Sequence, residues 1–376
     1  MKLPRNTRNE AGIGQLLIIG FDGVEMTSRL SSLLTRIQPA GVILFARNIR
    51  SADQTWRLLR DCQKCVSVPL FTCVDLEGGR VDRFRDALGP APSPKEVFST
   101  RDRKLFRKHG QIIGENCRAL GFNVDFAPVL DLALEASRSV MSSRAVSANP
   151  REAATYAGEF LKGLRSSRVL GCGKHFPGLG EGDLDSHHKM PVINKSLKDM
   201  SAEDLLPYRK LRAQLPMVMV SHAAYPLVTK GQVPASLSRM WITEILRKRI
   251  GFRNLIASDD LEMGAVLSSS SVGESATEHI RAGGDLCLVC HREDHVTQAY
   301  EELTKAADLR PAFAKRATES IGRVLSFKKK SARLWLRSAV PSVAKVQRLS
   351  RKLWEFSEEV RLKAMILEQN ERQRRS

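Results

Sequence analysis

Short, nearly continuous apolar stretches recur along the chain and are separated by longer polar segments. Continuous apolar residues are typical of strands that are buried on both faces, as in a parallel sheet. The pattern predicts eight strands, which are Gln15–Gly20, Gly41–Ala46, Leu70–Val74, Asn123–Pro128, Val169–Gly173, Met217–Val220, Asn254–Ala257 and Asp285–Val289.

Apolar residues at helical spacing occupy most of the segments between these strands. The predicted helices are Ala52–Val66, Arg101–Leu120, Pro150–Arg165, Ser201–Gln214, Ser238–Ile250 and Gly273–Ala282. Ser201 and Ser238 are predicted as helix N-caps. Eight strand–helix units in succession predict an α/β fold of the TIM type, a (β/α)8 barrel. A doubly wound open sheet is the alternative, but no Gly-x-Gly-x-x-Gly opens a helix after the first strand.

The end of the chain has a different pattern. Ser326–Ser342 contains the run Lys328–Lys330 and Pro341, which is typical of a linker, and Val343–Leu367 has apolar residues at helical spacing. We therefore predict one catalytic barrel domain at residues 1–327, followed at residues 328–376 by a basic linker and helical tail of unknown role. This tail could pack on the barrel, pair with a partner or contact an anionic surface.

The formal net charge of +19 favours a nucleic-acid or anionic partner at first sight. However, eighteen Lys/Arg and only six Asp/Glu lie from Arg310 onward. The basic character therefore belongs mostly to the tail, and no nucleic-acid partner is expected for the barrel. The N-terminus shows no apolar stretch of signal-peptide length, and no window approaches the roughly 20 apolar residues of a membrane span. We expect a cytoplasmic protein.

Seven cysteines include two pairs with Cys-x-x-Cys spacing, Cys62/Cys65 and Cys287/Cys290. Zinc binding or redox chemistry is one interpretation of that spacing. We favour the other, in which these residues are small apolar side chains of one amphipathic helix and one buried strand.

Polar residues follow five successive predicted strands. In a TIM barrel these positions form the active site at the C-terminal end, and buried charges cost several kcal/mol unless they are paired. The residues are Asp75–Arg83 after the third strand, Asp131 and Arg144 after the fourth, Lys174, His175 and Asp185–His188 after the fifth, Ser221-His222 after the sixth and Ser258–Asp260 after the seventh.

The residue types indicate the chemistry of this predicted site. Asp259 ends a buried strand and is a candidate nucleophile or stabiliser of a developing cation. Asp185 and His187 form a candidate dyad, because a carboxylate that accepts from one imidazole nitrogen raises the basicity of the other. Such a dyad gives a proton to a leaving oxygen and later takes one from water. The glycine-rich Gly178–Gly182 predicts a mobile loop that carries the dyad over the pocket.

Donor side chains complete the predicted site. Lys174, Arg83 and Arg144 only donate hydrogen bonds, and with Asp75 as an acceptor they suit sugar hydroxyls and an N-acyl carbonyl. Glycoside hydrolysis usually pairs two carboxylates; here a histidine would take one of the two roles.

The chain resembles the single-domain β-N-acetylglucosaminidases (β-hexosaminidases) of glycoside hydrolase family 3 over roughly residues 12–300. Each matching motif alone is modest, and the set occurs in the family's order. The segments are Gly41–Asn48, Asp75–Phe84, Phe126–Asp131, Lys174–Gly178, Asp185–His187, Pro234–Ser238 and Ser258–Leu261.

The resemblance implies a role for each site residue. Asp259 would be the nucleophile of a retaining, exo-acting enzyme, and His187 the acid/base with Asp185 as its dyad partner. No metal or cofactor is expected. The implied substrate is a glycan with terminal N-acetylglucosamine, namely a cytoplasmic peptidoglycan fragment with an anhydro-muramoyl peptide, which implies peptidoglycan recycling. The residues implied to bind the sugar are Asp75, Arg83, Arg144, Lys174 and His175.

The chain departs from the family's pattern next to the predicted dyad. Leu179 stands where the family commonly has a histidine, the Glu181–Leu184 loop differs from the usual form, and His188 adds a second imidazole. His188 is therefore an alternative acid/base.

Other functions stay open on the residues alone. A related β-glycosidase or a phosphorylase would use the same nucleophile. Phosphorolysis stays open because a neutral imidazole does not repel a phosphate that attacks the intermediate. A metal-dependent barrel hydrolase would need His175, His187, His222 and Asp259 to meet at zinc. A non-catalytic binding protein would act through the basic tail.

Overall fold

The computed structural model describes residues 12–182, 190–331 and 339–375. Its eight parallel strands close into a barrel, which confirms the predicted TIM-type fold. The barrel strands are β1 (Leu17–Ile19), β2 (Gly41–Ile43), β3 (Phe71–Val74), β6 (Val124–Asp125), β7 (Leu170–Phe176), β8 (Met217–Val220), β9 (Leu255–Asp260) and β10 (Leu286–Val289); β4 and β5 form a separate hairpin. The order around the barrel is β1-β10-β9-β8-β7-β6-β3-β2.

A two-stranded antiparallel hairpin interrupts the simple alternation after β3. It consists of β4 (Leu76–Gly78) and β5 (Val81–Asp82). Gly78 and Gly79 at its turn have φ of 91° and 61°, which side chains with a Cβ rarely adopt. The hairpin therefore turns back over the C-terminal end of the barrel, where the predicted site lies.

Helices surround the barrel. Their longer members have the bounds Ser28–Ile37, Ala52–Lys64, Arg103–Leu120, Pro150–Ser166, Val272–Ala282, Glu293–Leu309 and Pro311–Lys330, and a π-helix covers Met240–Arg249. Shorter helices are Arg85–Leu88, Pro94–Ser99, Arg138–Met141, Leu197–Ala202, Leu205–Leu211, Pro226–Thr229 and Gly264–Leu267.

One predicted helix, Ser201–Gln214, is wrong in its start and its continuity. Two helices occupy the region, Leu197–Ala202 and Leu205–Leu211. Ser196 caps the first, since its hydroxyl accepts the N–H of Asp199 at 3.2 Å, and Ser201 lies inside that helix. Ser238, the other predicted cap, accepts the N–H of Trp241 at 3.5 Å as the π-helix begins.

The helix Pro311–Lys330 packs against the first turn of the chain at the base of the barrel. Lys328 is buried there, and its ammonium donates to Gln15 Oε1 at 3.0 Å and to the carbonyl of Ala40 at 2.8 Å. It also lies 4.9 Å from the centre of the Phe71 ring. The boundary predicted at 327/328 falls within this helix, which continues to Lys330. Of the three consecutive lysines, only Lys328 is buried.

The tail helix, Val343–Arg375, packs on the outside of the barrel against Arg103–Leu120 and the two short helices before it. Its Leu349, Leu353, Phe356 and Val360 are buried, and the Phe356 ring stacks on His109 with centroids 5.7 Å apart. Of the three possibilities left open for this segment, the structure shows packing on the barrel.

The cysteines behave as apolar side chains. All seven are free thiols, with Cys62 buried in its helix and Cys287 buried in β10. Within the described residues, no group of three or more His, Cys, Asp or Glu is arranged to hold a metal ion. Across that same part of the chain, no helix combines the length and apolar character of a membrane span.

Candidate active site

A cavity of about 160 Å³ lies at the C-terminal end of the barrel. The described residues to which the sequence analysis assigned the nucleophile or sugar-binding role all line it, although they come from distant parts of the chain. They are Asp75, Arg83, Arg144, Lys174, His175 and Asp259. Asp185, His187 and His188 lie outside the described residues.

A buried ion-pair network forms one wall of the cavity. Lys174, in β7, donates to Asp75 Oδ1 and to Glu77 Oε1, each at 2.7 Å. Arg144 donates two parallel hydrogen bonds of 2.7 Å to Glu77, from Nε to Oε2 and from Nη2 to Oε1. This fork geometry is the strongest arrangement for a guanidinium and a carboxylate. The two cations are therefore held rigidly at fixed positions beside the cavity.

Glu77 is the functional residue that the sequence reasoning missed. Burial raises its pKa, but Arg144 and Lys174 lower it by more than burial raises it, and the net pKa is well below the usual range. Glu77 is thus an anion that matches the two cations. A signal was present, because Asp75 and Glu77 are two residues apart in a strand-like stretch, which places both on one face.

His175 is oriented by Asp131 on the same wall. The imidazole Nδ1 lies 2.7 Å from Asp131 Oδ2, while Asp131 Oδ1 accepts the N–H of Leu179 at 2.8 Å. Both partners are buried. Because Nδ1 donates to the carboxylate, Nε2 is the atom directed at the cavity, and it lies 3.4 Å from Arg144 Nη2. Asp131 positions the ring rather than lining the cavity.

Asp259 lies near the end of β9, and its carboxylate accepts the N–H of Asp260 at 2.9 Å. Burial raises its pKa, but His175, the backbone N–H of Asp260 and the charge of Lys174 lower it, so that the net pKa falls below the usual value. Asp259 is therefore ionised at neutral pH, as a nucleophile requires.

His222 does not line the cavity. Its Nε2 donates to the carbonyl of Asp260 at 2.9 Å, and its Nδ1 accepts from the Ser236 hydroxyl at 2.7 Å. Burial lowers the pKa of His222. The ring is thus a neutral support beneath the end of β9, and its ring nitrogens are both occupied.

The segment Gly178–Gly182, predicted as a mobile loop, is mostly buried. The carbonyl of Gly178 accepts from the Tyr225 hydroxyl at 2.7 Å. Lys195 ties the two sides of this region together, since its ammonium lies 3.2 Å from Glu181 and 2.8 Å from Asp204. The described residues on either side of the predicted dyad are therefore anchored to the barrel.

The second wall of the cavity consists of residues that follow β2 and β10. These two strand ends were not among those predicted to form the site. Phe45, Cys290 and His291 line it. Arg83 reaches the same wall, with its guanidinium carbon 5.7 Å from the centre of the Phe45 ring. An apolar ring beside cationic donors suits a ligand with both hydroxyl groups and apolar ring faces, as a sugar has.

The fold and the cavity together define a TIM-barrel enzyme whose cavity holds an ionised carboxylate, Asp259, beside a rigid set of hydrogen-bonding groups. The family model described as the glycosyl hydrolase family 3 N-terminal domain matches residues 9–327. The chain belongs to glycosyl hydrolase family 3 and is a glycoside hydrolase, which confirms the resemblance seen in the motifs.

Curated relatives and solved structures agree with this assignment. The chain is 36% identical to a β-hexosaminidase of Bordetella avium (strain 197N) over 296 residues, which cover 77% of this chain and 84% of the relative. A β-hexosaminidase of Idiomarina loihiensis is 33% identical, with 82% and 92% covered. The structure of a family 3 β-N-acetylglucosaminidase from Paenibacillus sp. str. FPU-7 matches with a TM-score of 0.86 and 29% identity, covering 95% of this chain and 69% of the other.

Proposed function

We propose that the chain is a retaining, exo-acting β-N-acetylhexosaminidase that releases terminal β-linked N-acetylglucosamine. The names of the curated relatives support the activity. The observation that carries the mechanism is the state of Asp259. Of the cavity-lining carboxylates in the described residues, Asp75 and Glu77 pair with Lys174 and Asp260 pairs with His291, whereas Asp259 has no ion pair with another described residue. Asp259 is thus the carboxylate free to attack.

The reaction proceeds in two displacements. An Asp259 oxygen attacks the anomeric carbon while a general acid protonates the glycosidic oxygen, and the aglycone leaves as an alcohol. The same group then takes a proton from water, which attacks the anomeric carbon and frees Asp259. His187 is proposed as this acid/base, with Asp185 fixing its tautomer. In most glycosidases a second carboxyl group acts as the acid/base, and in this proposal the histidine takes that role.

The wall of ion pairs binds the sugar in this proposal. Arg144 and Lys174 offer donors at fixed positions, and Asp75 and the Nε2 atom of His175 offer acceptors. Because Glu77 and Asp131 hold these groups before substrate arrives, little ordering is needed on binding. The small cavity suits one sugar residue, which favours removal of a terminal unit over cleavage within a chain.

The proposed natural substrate is a cytoplasmic peptidoglycan fragment in which N-acetylglucosamine is linked to an anhydro-muramoyl peptide. The resemblance to the single-domain β-N-acetylglucosaminidases supports this substrate, and the role proposed with it is peptidoglycan recycling.

A comparison of an aryl β-N-acetylglucosaminide with the matching β-glucoside tests the activity. We expect turnover of the N-acetyl compound at least about tenfold faster in kcat/KM. Asp259→Ala should abolish turnover, and His187→Ala should slow substrates with poorly activated leaving groups most. Equal or faster turnover of the glucoside would contradict the proposed specificity. Formation of a sugar phosphate in phosphate buffer would reassign the enzyme as a phosphorylase.

A further inference from the structure

Three positively charged or titratable groups surround one aromatic ring on the second wall of the cavity. The guanidinium carbon of Arg47 lies 4.7 Å, and that of Arg83 5.7 Å, from the centre of the Phe45 ring. The His291 ring stacks on Phe45 with centroids 5.3 Å apart and an interplanar angle of 28°. Cations are attracted to the face of an aromatic ring, so this wall concentrates positive charge.

His291 is held in one orientation at the cavity. Its Nε2 lies 3.1 Å from Asp260 Oδ2, and its backbone N–H donates to Glu262 Oε2. Its side chain is 49% exposed, so the ring is fixed by neighbours but accessible from the cavity it lines. Asp260 directly follows the proposed nucleophile, which places His291 close to the reacting end of the site.

The charged neighbours of His291 favour its protonated form. The hydrogen bond that His291 donates to Asp260 raises the pKa of His291, and Glu262 raises it too. Burial and Arg47 lower it, and the net pKa lies above the usual value. Arg47 is itself paired with Asp22 at 2.9 Å.

Arg83 differs from the other cations of the cavity walls, because it has no ion pair with a described residue. Lys174 and Arg144 are committed to buried carboxylates. The Nε of Arg83, by contrast, is buried and has no hydrogen-bond partner among the described residues. A buried donor without a partner is costly, and a ligand with acceptor oxygens would satisfy it.

We propose that His291 is a further specificity-determining residue, whose imidazolium binds an oxyanion carried by the substrate, a carboxylate or a phosphoryl group, next to Arg83. The inference rests on the proposed function for the identity of the sugar. The oxyanion belongs either to the aglycone or to a substituent of the sugar ring, and the chemistry that recognises it is the same.

Three aryl β-N-acetylglucosaminides distinguish these sources: a neutral compound, one with a carboxylate on the aryl ring, and one with a phosphoryl group on the sugar O6. We expect His291→Asn to lower kcat/KM about tenfold more for one anionic compound than for the neutral one, with the difference mainly in KM. The compound that is affected locates the oxyanion. His295→Asn is the matched control, because His295 bonds Glu262 at 2.7 Å and does not line the cavity.

A pH profile separates a charged contact from a merely structural role. The ratio of kcat/KM for the affected anionic compound to that for the neutral one should fall as pH rises through the raised pKa of His291. In His291→Asn the ratio should not change over this range.

Equal loss on all three compounds, or no loss on any, would overturn the inference. Absence of turnover in the unaltered protein would instead contradict the proposed function. Calorimetric binding of the three aryl compounds to Asp259→Ala, which lacks the proposed nucleophile, tests His291 without turnover. Equal affinities for all three in that variant would also overturn the inference.

Discussion

Paired charges decide what each side chain in the cavity can do. Glu77 neutralises Arg144 and Lys174, Asp131 fixes His175, and Asp260 holds His291. Among the cavity-lining carboxylates, Asp259 has no such pair with another described residue. The proposed nucleophile is therefore distinguished by the ion pairs of its neighbours as much as by its own position.

Glu77→Gln should weaken both folding and substrate binding. The variant leaves two buried cations with one carboxylate fewer, and breaking a buried pair in this way costs about 3 kcal/mol or more. The pKa of Glu77 is lowered in the folded state, so the stability from Glu77 is present above its unfolded pKa and is lost as pH falls below it. Urea unfolding at neutral pH measures the cost, and KM should rise because Arg144 and Lys174 lose their fixed positions.

The exposed pair Glu278–Arg281 provides the control for this prediction. Glu278→Gln should change stability by less than about 1 kcal/mol, since surface ion pairs contribute little. Similar losses in the two variants would show that the buried network does not have the role assigned to Glu77.

At the scale of the elements, the last turn of Pro311–Lys330 closes the base of the barrel with a buried lysine. Burial lowers the pKa of Lys328 to about 7. Because the unfolded chain keeps this proton to higher pH, the contribution of Lys328 to stability improves as pH rises above 7. Lys328→Met should therefore be most favourable, relative to the unaltered protein, at low pH.

Urea unfolding of Lys328→Met and the unaltered protein measures this difference. It should shift by about 2 kcal/mol between about pH 6 and about pH 9 in favour of the unaltered protein. Lys329→Met is the control, since Lys329 is exposed on the same helix and its replacement should leave the pH dependence unchanged. A shift of the same size in both variants would contradict the burial of Lys328.

The tail helix is predicted to be part of the folded unit. Phe356→Ala removes a fully buried ring that stacks on His109, and should destabilise the protein by about 3 kcal/mol. Trp354, on the same helix, is 65% exposed, so Trp354→Ala should have little effect. Thermal or urea unfolding of the two variants decides it, and an unaffected Phe356→Ala would mean that the tail helix does not contribute to the core.

The elements also show what sequence patterns resolve. Continuous apolar runs located all eight barrel strands, because strands buried on both faces carry that pattern. The helix at Ser201–Gln214 was misplaced because Ser196 and Ser201 are both plausible caps, and packing selects between them. Lys328–Lys330 resembled a linker because charge alone does not reveal which of three lysines is buried.

For the whole molecule, barrel closure is what brings the site together. Asp75, Arg144, Lys174 and Asp259 are far apart in the chain, yet all line one cavity because parallel strands end on the same side. Strand-end positions could thus be predicted from the sequence. The partners Glu77 and His291 could not be assigned, since their roles depend on distances to residues on other strands.

The proposed reaction requires a covalent intermediate on Asp259. The most direct measurement is mass spectrometry of the enzyme treated with a fluorinated N-acetylglucosaminyl fluoride. The glycosyl-enzyme intermediate from this reagent forms quickly and is hydrolysed slowly. We predict one added sugar per chain, located on the peptide that contains Asp259 and absent in Asp259→Ala. An adduct on another residue, or turnover of the reagent without any adduct, would contradict the account.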